Sequence, residues 1–297
     1  MITVMVDTAD KVGALARELV RRAAVAFWPP TSSPIREDAG GAGAAGRTFR
    51  WEWEMLPAVA ESIKVFAPWL ESPGAVLAEV PAAVGIVDVV AVRFDSRSLQ
   101  RRCDERVHPV LLPLRVRTLY ALRDRRPRRL ETLASVVGSR PEALARSTVG
   151  PLAQLGLLEI TPRGSVRSTG LWLPAGGRLM AVELKLSKWR TGLNQADNFA
   201  RSVDQAWVVL DARRVRGALR SIGEFAERGV GLAVVVPDGD VDVLLRPTGR
   251  RPEGWLRALL AERALAVASG QPQPVTADDH PSPGGPPSEP RAVAVMT

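Results

Sequence analysis

Cysteine and histidine are almost missing from this 297-residue chain. The single Cys103 excludes an internal disulfide framework and a cysteine-rich zinc site. Only His108 and His280 are present, the second in a proline-rich tail, so a histidine metal centre or a Ser-His-Asp triad has no material. Any metal would have to be held by carboxylates, which suits Mg²⁺ or Mn²⁺. No Walker A motif occurs. Gly41, Gly43 and Gly46 spell a formal G-x-G-x-x-G, but they fall in a loop over 29–47 with no strand before it, so no nucleotide cofactor is expected. The opening "MITVMVDTADK" has no basic stretch followed by an apolar one. The longest apolar run, "VPAAVGIVDVVAV", is too short for a bilayer and carries Asp88. These absences predict a cytoplasmic protein with no membrane partner.

Lysine is also scarce. Of 40 basic residues only Lys11, Lys64, Lys185 and Lys188 are lysines, so arginine is the default cation. Where a lysine persists, a compact point charge is a candidate requirement.

Hydrophobic residues make up 46% of the chain, enough for a substantial core. Apolar positions at helical spacing predict a helix over 9–26, and alternation predicts a short strand in "TFRWEWEM". A helix follows in "PAVAESIKVF", with Pro57 at its start and Val59, Ile63 and Phe66 on one face. "AVLAEVPA" and "VGIVDVVAVRF" read as strands joined between Pro81 and Gly85. Downstream come a strand in "RLMAVELKL", a helix in "GLNQADNFARSVDQ" and a buried strand in "AWVVLD". An amphipathic helix ending at Gly229, a hairpin turning at Pro237 to Asp240 and a last helix in "PEGWLRALLAERALAV" complete the series. Residues 269–297 hold seven prolines and no hydrophobic period, which predicts disorder.

Two strands that read as core carry acids in their middles: Asp88 in "GIVDVVAV", and Glu183 in "MAVELKL". Lys185 shares a face with Glu183, because residues two apart on a strand point the same way. Charges buried without partners cost several kcal/mol each. An ion pair between Asp88 and Lys185 would make them tolerable, and so would an exposed sheet edge. A divalent cation held by Asp88 and Glu183 would also do so, since it offsets the repulsion of two carboxylates.

"GIVD", "VELK" and "NQADNF" in this order resemble the PD-(D/E)xK, or restriction-endonuclease-like, nuclease superfamily. Asp88 matches its strand-end Asp, and Glu183 and Lys185 match E-x-K. Gln195 matches the glutamine of Q-x-x-x-Y, while Phe199 departs from its tyrosine. The resemblance covers roughly 50–95 and 178–250. It implies a mixed sheet flanked by helices and metal-dependent phosphodiester hydrolysis. By the same resemblance Asp88, Glu183 and the Leu184 backbone carbonyl would bind Mg²⁺ (or Mn²⁺), Lys185 would orient the nucleophile, and Gln195 would support the site. Many members add a glutamate from a preceding helix; Glu61, with Glu54 behind it, and Glu79 on its strand are candidates.

The segment 110–173 interrupts this pattern. "PLRVRTLYALRDR", "RLETLASVVG" and "SRPEALARSTVGPLAQLGLLEI" read as three helices, the last with a Ser139 cap and Pro141 in its first turn. "LLEITPRGSVRSTGLWL" reads as a hairpin turning at Pro162 to Ser165. The series resembles a winged helix-turn-helix domain. Residues 115–170 hold eleven arginines against four acids, nearly the whole +8 net charge, which marks a phosphate-binding surface. Arg140, Arg146 and Ser147 would face a major groove and Arg163 and Arg167 would ride the wing. Lys188 and Arg190 would meet flanking phosphates.

The expected organisation is therefore a nuclease-like core in two parts, 1–109 and 174–268, an insertion at 110–173 with a core of its own, and a tail at 269–297. The expected function is an Mg²⁺-dependent DNA endonuclease serving restriction, defence or repair. Cutting both strands with one site would call for a homodimer. The alternatives are a non-catalytic DNA-binding or regulatory protein on a nuclease-like scaffold, and a module that docks a protein partner.

Overall fold

The computed structural model of the chain describes residues 49–71, 73–237 and 239–270. The helix expected at 9–26, the glycine-bearing loop at 29–47 and all but the first two residues of the tail lie outside them.

The described chain is a mixed α/β structure. Its main sheet takes β1 (Gly74–Pro81), β2 (Ile86–Phe94), β6 (Gly176–Lys185), β7 (Gln205–Asp211), β8 (Gly231–Val235) and β9 (Val241–Leu245), in that spatial order. β1–β2, β2–β6 and β8–β9 pair antiparallel, whereas β6–β7 and β7–β8 pair parallel. The parallel pairs sit in the middle because β6, β7 and β8 are almost wholly buried and need cover on both faces. One face receives Met55, Val59, Ile63, Phe66 and Leu70 from the segment before β1, with Phe66 edge-on to Trp207. The other receives the Trp189–Phe199 helix, Phe225 of the Ile222–Arg228 helix, and the Gly254–Ala268 helix. Among the described residues no helix is long and apolar enough to cross a membrane.

Several expectations are corrected. Residues Glu52–Met55 form a 3-10 helix, not a strand, and lead directly into the Leu56–Glu61 and Ile63–Phe66 helices. The Glu54 carboxylate turns back to accept from the backbone N–H of Arg50 (2.6 Å) and Trp51 (3.3 Å), so the chain is capped where alternation suggests extension. The helix after β6 begins early, at Trp189, and ends at Phe199. The expected single helix ending at Gly229 is broken into Ala212–Arg214, Arg216–Arg220 and Ile222–Arg228, although Gly229 does cap it at φ 67°. A further helix, Ser96–Asp104, starts where the Asp95 carboxylate accepts from Ser98 N–H (2.7 Å).

Between β2 and β6 lie helices Pro113–Ala121 and Leu130–Val137, then Pro141–Leu144 continuing through a wider-wound turn, Ala145–Val149, into Gly150–Gln154. The cap of the third helix is Arg140, not Ser139, and it makes no side-chain capping bond. The expected hairpin is β4 (Leu158–Ile160) with β5 (Ser165–Ser168), and β3 (Arg128–Arg129) adds a third strand.

The core of this segment is a separate cluster that the last helix completes. Val116, Leu119, Leu133, Leu144, Leu152 and Trp172 pack with Ala258 and Leu259 of the last helix. That helix is apolar nearly all round because it is a wall between two cores. Within it Glu262 is fully buried and pairs with Arg102, 3% exposed. Arg102 Nη1 donates to Glu262 Oε2 at 2.9 Å and Arg102 Nε to Leu173 O at 3.1 Å. The same carboxylate accepts from Val110 N (2.8 Å) and Trp172 Nε1 (3.2 Å). The two ends of the 110–173 segment are thus fastened to the same acid. Glu262→Ala strands a buried guanidinium and two donors, so urea unfolding of this variant should show a loss of about 3–5 kcal/mol.

Candidate functional site

The site forms where β2 and β6 part. Their pairing runs from Phe94↔Gly176, through a bulge, to Val89↔Val182 and stops there, one residue short of Asp88 and Glu183. Beyond that point side chains satisfy the backbone. Asp88 Oδ2 accepts from Leu184 N–H at 2.7 Å, and Leu184 O accepts from the Lys185 ammonium at 2.9 Å. The same place is irregular on the other side of β2. Pairing with β1 skips from Ala78↔Val89 to Val80↔Val87, and Glu79, opposite Asp88, adopts φ 53°. A positive φ is costly for a residue with a Cβ, and such strain gathers at working sites.

Lys185 is the centre. Its Nζ lies 2.7 Å from Glu183 Oε1, 3.1 Å from Glu52 Oε2 and 4.0 Å from Asp88 Oδ2. Glu52 also accepts from Leu186 N–H at 3.4 Å. Three carboxylates therefore surround one ammonium. Glu183 is 1% exposed, and its Oε2 has no hydrogen-bond partner. Burial, then the Asp88 charge, push the Glu183 carboxyl up to about 7, against the pull of Lys185. Burial also raises Asp88, opposed by Lys185 and by the Leu184 N–H. Burial alone would lower Lys185, but Asp88, Glu183 and Glu52 outweigh it and raise it. The three carboxylates thus favour the ammonium form of Lys185.

Gln195 and the lysine are set by the Trp189–Phe199 helix. Gly192 of this helix lies against Lys185: a Cβ there would stand 2.9 Å from Lys185 Cγ and 3.2 Å from Val208 Cγ1. One turn on, Gln195 is half-buried, with its Oε1 buried and without a partner. Phe199, in the place of the expected tyrosine, is a core residue.

A cleft of about 490 Å³ opens on this acid cluster, lined by Arg50, Trp51, Glu52, Trp53, Leu56, Glu79, Asp88, Leu184 and Leu186. A larger hollow of about 590 Å³ lies under residues 105–112 against Leu152, Leu155 and Leu157, and its only acid is Glu105. The acid cluster borders the smaller cleft.

The structure brings together Asp88, Glu183, Leu184 and Lys185, with Glu79 at the rim. Glu61 is not among the residues of the cleft and faces solvent, and Glu54 is spent on capping. The glutamate from the preceding segment is instead Glu52, which sequence reasoning missed because W-E-W-E imitates a strand. Its signal was an acid just upstream of a proline-opened helix. Gly192 had no signal beyond its type.

Among the described residues no three His, Cys, Asp or Glu side chains are arranged to hold a metal ion by themselves. Two carboxylates and a carbonyl nevertheless fit Mg²⁺, which keeps several waters and takes oxygens from a phosphate. The buried, unpartnered Glu183 Oε2 is the observation that supports the fit.

Of the residues expected to meet DNA, Arg140, Arg146, Arg163, Lys188 and Arg190 are exposed. Arg190 lies over the Trp189 ring at 4.5 Å. Arg167 is paired with Glu159, and the Ser147 hydroxyl donates back to Ala143 O at 2.7 Å, so both are partly spent within the protein.

Compared with known proteins, the chain matches no family model, no curated protein and no solved structure.

The raised Glu183 predicts a pH dependence. A carboxyl whose folded value stands near 7 binds its proton more tightly folded than unfolded, so its contribution to stability falls as pH rises from about 4.5 to about 7 and stays low above. At pH 8, without metal, Glu183→Gln should melt higher than the wild type, and the gap should close toward pH 5. A variant that melts lower throughout would show that the carboxylate is a net stabiliser.

Proposed function

We propose that this chain is a metal-dependent nuclease of the PD-(D/E)xK type, acting on DNA in the cytoplasm. The observation that carries the reading is the convergence of Asp88, Glu183 and Lys185, with one Glu183 oxygen buried and unpartnered beside them. A scaffold without activity has no physical reason to keep three carboxylates around one ammonium, because their desolvation and repulsion cost stability. The strand and helix order around "VELK" supports the same reading, as do the three helices and hairpin of 110–173 for a winged helix.

Asp88, Glu183 and the Leu184 carbonyl would hold Mg²⁺ or Mn²⁺. Such an ion, when bound, polarises a phosphate and makes water more acidic. The chain's own residues do the rest. Lys185, its ammonium form favoured by three nearby carboxylates, stabilises negative charge developing on the phosphoryl oxygens and orients the attacking water. Glu52 fixes the Lys185 ammonium at 3.1 Å. Gln195 offers a buried amide oxygen one turn beyond Gly192. Gly192 allows the helix to approach the Lys185 side chain closely. Arg140, Arg146 and Arg163 supply exposed charge for the duplex backbone, with Lys188 and Arg190 nearer the site.

The test is Lys185→Ala beside Lys185→Arg. If the lysine serves only to neutralise buried acids, alanine unfolds the protein and arginine preserves it. If it serves catalysis, both variants fold, both bind DNA, and cleavage in Mg²⁺ of whichever substrate the wild type cuts, plasmid or linear single strand, falls by roughly 10²–10³ in each. Unchanged cleavage by Lys185→Ala would remove the lysine from the mechanism.

A further inference from the structure

The cleft has an aromatic wall that phosphodiester hydrolysis alone does not require. Trp51 is 62% exposed and Trp53 58%, and both line the cleft with Glu52 and Asp88. Tryptophan is rarely left so far open to water, and two such indoles together are an informative exposure. They are also positioned, not loose. Trp51 is the extended residue that opens the 3-10 helix, at φ −130° and ψ 149°, and its N–H is held by Glu54. Trp53 lies within the helix, and Glu52, between the two, is anchored on Lys185 and Leu186. The indoles therefore flank a residue tied to the acid cluster. Arg50, exposed at the same rim, adds a positive charge beside them.

A flat, apolar, weakly polar-edged surface next to a phosphate-handling site suits a nucleobase. Bases inside a duplex have their faces covered by neighbours, so only an unpaired base can lie on an indole. We propose that Trp51 and Trp53 form a stacking platform for unpaired bases next to the scissile phosphate, so that the substrate class is DNA with a single-stranded stretch. This rests on the nuclease reading of the same cleft. Stacking is sequence-tolerant because every base has a π-face, so the platform selects strandedness and not sequence.

The test is binding in EDTA, where cleavage does not proceed, by fluorescence anisotropy on the full chain. The probes are an end-labelled single strand of about 12 nucleotides, the same length made of abasic residues, and a blunt duplex. The wild type should bind the base-bearing strand roughly ten- to a hundredfold more tightly than the abasic one, the scale of one or two stacked bases. Trp51→Ala/Trp53→Ala should bind both strands with the abasic affinity and an unchanged salt slope, since no phosphate contact is lost. Trp51→Phe/Trp53→Phe should keep part of the preference, which separates stacking from a folding defect. Equal affinity of the wild type for the two single strands would overturn the platform, as would a double variant that loses the abasic strand equally. A protein that shows the preference and never cleaves in Mg²⁺ would refute the nuclease reading and leave the platform standing. One that cleaves without any preference would refute the platform alone.

Discussion

One ammonium among three carboxylates organises this molecule. Lys185 lies close to Glu183, Glu52 and Asp88, drawn from β6, from the segment before β1 and from β2. The sheet is built to allow this. β2 and β6 stop pairing one residue before the acids, and the freed groups of Leu184 are taken by Asp88 and Lys185. Among the described residues the cluster keeps an excess of two negative charges. Burial converts that excess into a Glu183 carboxyl that ionises only near pH 7. A divalent cation is the simplest species that would relieve it.

The second constraint is the wall helix, Gly254–Ala268. It closes the face of the sheet that carries Lys185 and completes the core of the 110–173 segment. A separately folded insertion would need only two linkers. Here Glu262 binds both linkers and Arg102 at once, so the segment is fused to the sheet through a buried ion pair. Buried pairs contribute little net stability over apolar packing but penalise wrong arrangements strongly. The orientation of the basic segment relative to the cleft is accordingly specified by a few polar contacts.

How far the sequence alone revealed this depended on the kind of signal. Asp88, Glu183 and Lys185 were legible because a charge in the middle of an apolar strand is a local contradiction that demands a partner. Glu262, an acid inside "LLAERALAV", carries the same contradiction on a helix and could have been found in the same way. Glu52 could not, because its role depends on a turn that places it 133 residues away from its partner along the chain. The alternating Trp and Glu of that stretch argue for a strand until the Glu54 cap is known. Gly192 was silent for a different reason: the need for its missing Cβ arises only once the helix meets Lys185. Short apolar runs identified the core strands, whereas alternation alone misread the Trp-Glu stretch. Breaks inside helices, as at Ser221, follow from packing and were not legible.

The central claim is that the carboxylate excess at the strand parting is a cation site. Titration of the metal-free protein with Mn²⁺, followed calorimetrically in two buffers of different ionisation enthalpy, tests it most directly. The account predicts one strong site per chain, with proton release near pH 7 as Glu183 ionises, and loss of that site in Asp88→Asn. Binding unaffected by Asp88→Asn, or no saturable binding at millimolar Mn²⁺, would contradict it.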